Sequence, residues 1–175
     1  MCRHRTDLGP SERGGTPARE PLSLRLYPDS VLREPCGPVE RFDAWLSDVF
    51  EEMLGLMRTH DGIGLAGPQA GLTQRLFVAQ MEGQTLRLVN PVILVRSGRD
   101  RMAEGCLSLP GLHVEIERNF QVEVQAYDAR GTKQKHRVQG LWARVMQHEI
   151  DHLDGVLICD HQDSPAIREE GLSRL

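Results

Sequence analysis

The sequence predicts a single α+β domain in which mainly antiparallel sheets surround a central helix. The length of 175 residues is enough for one hydrophobic core and too short for two. Apolar residues recur at helical spacing over residues 42–57 and again over residues 141–153, the central helix of this prediction. Between the two helices, short strand patterns are joined by turns, which is typical of antiparallel hairpins.

Each element follows from the spacing of apolar residues and from the residues that interrupt it. The first helix lies between Pro38 and Gly62, and a Gly-rich turn continues to Gly71. Short strands are predicted over residues 75–81, 85–90, 92–95, 121–126, 133–138 and 156–159. The second helix ends before Gly155, a residue typical of helix C-termini.

The first 20 residues differ in composition from the rest of the chain. They are rich in Gly, Pro and charged residues, so they cannot bury enough surface to offset the entropy of ordering. We expect residues 1–20 to be a disordered tail and residues 21–175 to form the domain. A transit peptide is the alternative for the tail, although its acidic residues argue against this.

The composition excludes several classes of protein. Lys and Arg number 21 and Asp and Glu number 25, and the net charge of −4 argues against a DNA-binding surface. No apolar run approaches the roughly 20 residues that span a bilayer. The four cysteines form no C-x-x-C pair and no signal-peptide core is evident, so we expect a reducing compartment without disulfides.

The strongest chemical signal is an H-E-x-x-H motif in the second helix, formed by His148, Glu149 and His152. Residues four apart share a helix face, so the two imidazoles can hold one metal ion with the Glu beside it as general base. A surface helix without metal is the alternative. A metzincin-type third ligand would fall at Ile158, which cannot bind metal, so the third ligand is expected elsewhere.

Cys106 is the best candidate for that ligand. It follows Gly105, which allows close approach of the backbone. A thiolate with two neutral imidazoles is a soft donor set that suits Fe(II), Zn, Co or Ni. Taken alone, a free cysteine is more often a small buried hydrophobe.

A third segment, from Gly62 to Gln69, is rich in glycine. No Lys-Ser or Lys-Thr pair follows it, which excludes a phosphate-binding loop. The glycines instead suggest a backbone that approaches a ligand, with the Gln69 amide directed into a site. A plain Gly-rich turn is the alternative.

Together and in this order, G-I-G-L-A-G-P-Q, E-G-C-L-S and Q-H-E-I-D-H-L-D-G resemble the three signature motifs of peptide deformylase, over a span from about Leu22 to Asp160. The resemblance implies that Cys106, His148 and His152 bind one divalent metal ion, with a fourth position for water. Fe(II) is typical of the family, and Zn, Ni or Co can replace it.

The resemblance also implies a reaction, which is removal of the N-formyl group from the N-terminal methionine of newly synthesised proteins with release of formate. Glu149 would act as general base and then as general acid. Gln69 and the backbone N–H of Leu107 would hold the oxyanion. Glu104 would pair with Arg118 behind the site.

The methionine side chain of such a substrate requires an apolar slot. Leu141 and Val145 lie on the same helix face as the metal motif, and the resemblance places Ile63 opposite. Gly64 and Gly105 would let the substrate backbone approach. Ordinary core packing is the alternative for the two helix residues.

Two further positions bear on the substrate. His113 stands where some members of the family carry Arg near the path of the peptide. Arg144, one turn before His148, is expected to rim the pocket or to face solvent. The implied partners are N-formyl-methionyl nascent peptides and, weakly, the ribosome, without DNA or membrane. We expect a cytoplasmic location, with an organellar one as the alternative.

Two other functions compete with this interpretation. A zinc endopeptidase of the H-E-x-x-H type would need a downstream ligand, which Ile158 does not supply. A binding module with a structural metal would need neither Glu149 nor Gln69.

Overall fold

The structure is a computed structural model that describes residues 21–161. The predicted tail, residues 1–20, and the last part of the predicted domain, residues 162–175, lie outside the described residues. The described elements, in chain order, are a 3-10 helix Ser30–Arg33, α1 Ala44–Thr59, β1 Gly64–Ala66, a 3-10 helix Gly67–Ala70, β2 Leu76–Met81, β3 Gln84–Ser97, β4 Asp100–Cys106, β5 Leu109–Arg118, β6 Gln121–Tyr127, β7 Lys133–Gln139, α2 Leu141–Leu153 and a 3-10 helix Ile158–His161.

The strands form two separate antiparallel sheets. One sheet has five strands in the order β1-β2-β3-β6-β7, and the other is the β4–β5 hairpin. Every pair of neighbouring strands in both sheets is antiparallel. The predicted α+β class, with antiparallel sheets in a single domain, is therefore confirmed.

The helix α1 begins at Ala44 because the Asp43 carboxylate accepts a hydrogen bond from the N–H of Trp45, at 3.1 Å. It starts two residues after the predicted boundary. The side chains on its apolar face pack against one face of the five-stranded sheet. The buried residues of this face are Leu46, Val49, Phe50, Met53, Leu54 and Met57.

The two helices cover opposite faces of the five-stranded sheet. On β2, Leu76 and Val78 pack in the cluster that contains the apolar face of α1, whereas Phe77 and Ala79 pack with α2. Successive residues of a strand point to opposite faces, so the sheet lies between the helices. The helix α2 spans the predicted residues 141–153, and neither α1 nor α2 is long and apolar enough to cross a membrane.

Several sequence-based boundaries were wrong. The two strands predicted between residues 85 and 95 are one strand, β3, whose register shifts where Asn90 adopts a positive φ of 50°. The strand predicted over residues 156–159 is replaced by the 3-10 helix Ile158–His161, where the Asp160 carboxylate accepts a hydrogen bond from the N–H of Leu157. The predicted Gly-rich turn contains β1 and a 3-10 helix, and the β4–β5 hairpin was not predicted.

Candidate metal centre

The structure brings together the three residues that the sequence predicts as metal ligands. One donor atom from each of Cys106, His148 and His152 lies within 4.8 Å of the others. The Sγ atom of Cys106 is 3.2 Å from Nε2 of His152. The two imidazole rings lie 4.9 Å apart because residues four apart on α2 share one face.

Cys106 points at α2 because β4 ends in an irregularity. Residues 100–105 pair in step with β5, but a shift of register follows Gly105, and Cys106 then pairs with Leu109. A bulge of this kind turns a side chain away from its position in a regular ladder. The sequence indicated only that Gly105 allows close approach, which is consistent with this local geometry.

The orientation of His148 is set by a buried carboxylate. Its Nδ1 lies 3.0 Å from Oε2 of Glu104. An ionised carboxylate only accepts hydrogen bonds, so Nδ1 carries a proton, and Nε2 is the nitrogen that a metal ion would bind in place of a proton. Burial opposes ionisation of Glu104, but hydrogen bonds from His148 and Arg118 hold its pKa well below the ordinary range.

Glu104 is the centre of a buried ionic cluster. Arg118 donates to both of its oxygens, from Nε at 2.6 Å and from Nη2 at 2.9 Å, in the predicted pairing behind the site. Arg144 donates to Oε1 of Glu104 at 2.6 Å. The expectation that Arg144 rims the pocket or faces solvent was incomplete, because its side chain lines the cavity wall yet is buried, with 4% exposure. The ion pairs of Arg144 offset the free-energy cost of removing its charge from water.

The carboxyl group of Glu149 is buried beside these donors. Its residue is 3% exposed, and Oε2 has no hydrogen-bond partner among the described residues. Burial raises the pKa of this carboxyl to about 7, against the opposing charges of His148 and Arg118. A carboxyl group with such a pKa is suited to accept and return a proton near neutral pH.

Gln69 is held in one orientation by its neighbours. Its Oε1 accepts a hydrogen bond from the N–H of Ala66 at 2.9 Å. Its Nε2 donates to Oγ of Ser108 at 3.2 Å and lies 3.5 Å from Sγ of Cys106. The amide NH₂ group is therefore directed towards the thiol, and Leu107, the other predicted oxyanion donor, lines the same cavity as Gln69.

A cavity of about 360 Å³ opens onto these groups. All five residues predicted to bind substrate line it, namely Ile63, Gly64, Gly105, Leu141 and Val145. His113 also lines the cavity. Sequence reasoning missed Met102 on β4, which also lines the cavity and is 43% exposed. The signal that could have found it is the strand β4, which was not recognised in the sequence.

The chemistry of the donor set fits a divalent cation. Burial disfavours a charged His148, yet hydrogen bonds to Cys106 and Glu104 raise its pKa to about 10, so the cluster stabilises positive charge. The partnerless Oε2 of Glu149 offers a further acceptor beside the three donors. Thiolate and imidazole are ligands for Zn and for the later first-row divalent metals.

The residues that follow the H-E-x-x-H motif in the chain do not belong to this set of metal donors. Ile158 is buried in an apolar cluster. His161 contacts Asp151, with Nε2 2.9 Å from Oδ2, and Asp160 contacts Arg33. Among residues 21–161, the group of donors that could hold a metal therefore takes its third member from upstream. This arrangement argues against the endopeptidase alternative.

The chain is similar to known proteins over most of its length. Residues 21–167 match the family model described as polypeptide deformylase. The peptide deformylase of Thermotoga neapolitana is 44% identical over 138 residues, which cover 78% of this chain and 84% of that protein. Peptide deformylase 1 of Clostridium perfringens is 39% identical over 142 residues, which cover 80% of this chain and 97% of that protein.

Solved structures agree with these relatives. A peptide deformylase from Synechococcus elongatus in complex with actinonin is 40% identical, with a TM-score of 0.83 over 90% of this chain and 89% of that one. The peptide deformylase from Thermotoga maritima is 39% identical, with a TM-score of 0.80 over 83% of this chain and 100% of that one.

Proposed function

The chain belongs to the peptide deformylase family, and from this membership we propose how its own residues carry out the reaction. The family predicted from the three motifs is thus confirmed. The protein is a hydrolase that removes the N-formyl group from the N-terminal methionine of newly synthesised proteins and releases formate.

In this proposal, Cys106, His148 and His152 hold the metal ion. The observation that carries it is the convergence of the three donor atoms beside the buried carboxyl group of Glu149. Fe(II) is the proposed resident ion because it is typical of the family, and Zn, Ni or Co can replace it because the donor set suits all four. When bound, the ion lowers the pKa of water and polarises the formyl carbonyl group.

Glu149 carries the proton in both halves of the reaction. Its carboxylate takes a proton from the attacking water as the oxygen bonds to the formyl carbon. It then returns the proton to the amide nitrogen as the C–N bond breaks. Formate and a free amino terminus leave, so the balance is one water consumed for each formyl group removed.

Two N–H donors stabilise the oxyanion that forms on the formyl group. The Nε2 of Gln69 supplies one, and the backbone N–H of Leu107 supplies the other. The hydrogen bonds to Ala66 and Ser108 support this role because they fix the Gln69 amide before the substrate arrives. A preorganised donor costs no reorganisation during the reaction.

The substrate lies between two strand edges. β1 is the outer strand of the five-stranded sheet, β4 belongs to the separate hairpin, and the cavity lies between them. Gly64 and Gly105 line it, so the peptide backbone can approach both strands. The methionine side chain enters the slot lined by Ile63, Leu141 and Val145.

Formate release tests this function. The protein, purified anaerobically and loaded with Fe(II) or Ni(II), is incubated with an N-formyl-methionyl tripeptide, with a chelated sample as control. Metal-dependent release supports the proposal, whereas cleavage of an internal peptide bond would favour the endopeptidase. Folded and loaded protein that releases no formate would contradict the proposed site.

We also propose a place of action. Formylated nascent chains arise at the ribosome, so the substrate is available in a cytoplasm that supports such synthesis, and a weak ribosome contact would present it. Cosedimentation of the protein with translating ribosomes, compared with vacant ribosomes, tests this contact. Equal amounts in both pellets would argue against presentation of the nascent chain.

A further inference from the structure

The hairpin that carries Cys106 has no strand pairing with the rest of the protein. Among the described residues, β4 and β5 pair only with each other. The buried apolar residues of the hairpin, Leu109, Val114 and Ile116, pack in a cluster with the first and last 3-10 helices, and that cluster includes no residue of α2. The distance between the Cys106 thiol and α2 therefore depends on other contacts.

Arg144 supplies the largest set of those contacts. From α2, its Nη1 donates to Oε1 of Glu104 at 2.6 Å and to the carbonyl oxygen of Ile116 at 3.0 Å. Its Nη2 donates to the carbonyl oxygen of Asp100 at 2.7 Å and to Oδ2 of that residue at 3.2 Å. One buried guanidinium thus holds both strands of the hairpin.

Arg118 crosses the same interface in the opposite direction. From β5, it donates to Glu104 and, through Nη1, to Oδ2 of Asp151 on α2 at 2.7 Å. The two arginines meet at Glu104, which lies two residues before Cys106 on β4. Glu104 also accepts from Nδ1 of His148. One carboxylate therefore connects the strand of the thiol to an imidazole.

Neither arginine can replace the other. Arg118 divides its donors between Glu104 and Asp151, so Asp100 and the carbonyl of Ile116 depend on Arg144. A planar guanidinium can reach several acceptors at fixed angles, whereas the ammonium group of a lysine is a point charge on a flexible stem. Removing a buried partner also leaves the remaining charge uncompensated.

We propose that Arg144 is a positioning residue of the metal centre. It fixes the β4–β5 hairpin on α2 and so sets the spacing between the Cys106 thiol and the two histidines. This inference rests on the metal site of the proposed function and gives Arg144 a role beyond that of a pocket wall.

The test is a Co(II) titration of Arg144→Met, Arg144→Lys and the unaltered protein. Loss of an outer partner of a metal ligand, here Glu104, typically weakens binding by about 10–100-fold. Arg144 acts on the ligands through Glu104 and the hairpin, so for Arg144→Met we expect a loss of about 10-fold, the lower end of that range. The thiolate-to-cobalt absorption should change in position or intensity. With each variant fully loaded, kcat should fall while KM for a formylated peptide changes little. The Co(II) affinity and the kcat of Arg144→Lys should lie between those of Arg144→Met and those of the unaltered protein.

Arg75→Met is the matched control. Arg75 precedes β2 and donates to the carbonyl oxygen of Leu153 and to Asp154, at the C-terminal end of α2, whereas Arg144 lies near the N-terminal end. It ties the same helix to the five-stranded sheet without contacting the metal cluster. We expect Arg75→Met to lower the Tm and to leave both the Co(II) affinity and the cobalt spectrum unchanged.

The outcomes separate the two proposals. If the unaltered protein gives no thiolate-to-cobalt absorption, the proposed metal site and this inference both fail. If it does, and Arg144→Met has the same affinity and spectrum with only a lower Tm or a higher KM, the positioning role alone is overturned. If Arg144→Met does not fold, Arg144→Lys decides, and unaltered cobalt affinity in that variant overturns the role.

Discussion

The carboxyl group of Glu149 lies directly against the main chain of Gly64. A Cβ atom at Gly64 would be 2.8 Å from Cδ of Glu149, closer still to Oε1, and 3.1 Å from Cγ1 of Val145. Any side chain at this position therefore competes with the proposed general base for space. The glycine allows β1 to form one wall of the cavity and the carboxyl group to stay in place.

We expect Gly64→Ala to fold and to lose activity. The methyl group would displace the Glu149 carboxyl, and a misplacement of about 1 Å typically costs about 10²-fold in rate. Measurement of kcat/KM checks this. Gly55→Ala is the control, because a Cβ at Gly55 on α1 meets nothing within 4 Å. That change should stabilise the helix by about 1 kcal/mol without affecting activity. Unchanged kcat/KM in Gly64→Ala would contradict the expectation.

Glu149→Gln should be nearly inactive while retaining its metal. The amide keeps the size of the side chain but cannot carry the proton, and general acid–base catalysis contributes about 10²–10⁴-fold. Removing a buried titratable carboxyl should leave the Tm at pH 8 unchanged or raised. Single-turnover rates and metal content by atomic absorption check both points. Near-normal turnover would exclude Glu149 as the base.

Gln69→Ala should bind metal and substrate but react slowly. Loss of one oxyanion donor typically costs about 10²–10³-fold in kcat. Gln80→Ala is the matched control, because Gln80 on β2 bonds to Arg58 and Thr85, outside the cavity. Steady-state kinetics should give a normal rate for the control. A Gln69→Ala enzyme whose KM rises while kcat is unchanged would assign the amide to substrate binding instead.

The rate should rise with pH along an acidic limb set by Glu149. The base acts when deprotonated, and burial raises the pKa of this carboxyl to about 7. A bound cation lowers the pKa from there, so the midpoint of the limb should lie between the ordinary value of about 4.3 and about 7. A kcat/KM profile of the loaded enzyme measures it. A midpoint above this range would mean that another group titrates.

Cys106→Ser should lose the metal and, with it, the activity. A serine hydroxyl binds these metals much more weakly than a thiolate does. The loss of metal affinity should therefore exceed the about 10–100-fold that typically follows removal of a residue bonded to a metal ligand. Chelator competition measures the affinity. Cys36→Ser, at a buried cysteine in the main core, is the control and should keep its metal. Metal retained by Cys106→Ser would point to the endopeptidase arrangement.

The part of the site on α2 could be predicted from the sequence because its signals are local. The apolar spacing of the helix and the H-E-x-x-H motif lie within one segment, and the first and last residues of α2 were both predicted correctly. Cys106 as the third proposed ligand depends on the resemblance of the three motifs taken together, and Leu141 and Val145 follow from the spacing on the face of α2. The strand β6 was also predicted, because its apolar residues alternate with polar ones, whereas β1 was interpreted as part of a turn.

The β4–β5 hairpin and the role of Arg144 could not be predicted in this way. Gly105 and Pro110 look like interruptions, and the turn of Leu107 and Ser108 carries no turn signal. Without the hairpin, Arg144 has no visible partner, because its acceptors lie on β4 and β5, far away in the chain. Ion pairs between distant segments leave no periodic pattern.

Because the proposed ligands lie on separate elements, a metal ion bound to them would act as a removable cross-link. Cys106 and His152 are 46 positions apart, so an ion bound to both closes a loop of that length. For a covalent link, closure of such a loop removes about 4 kcal/mol of conformational freedom from the unfolded chain. Metal bound at the proposed site would therefore hold the β4–β5 hairpin against α2. The melting temperature becomes a measure of how much of the enzyme is charged with metal.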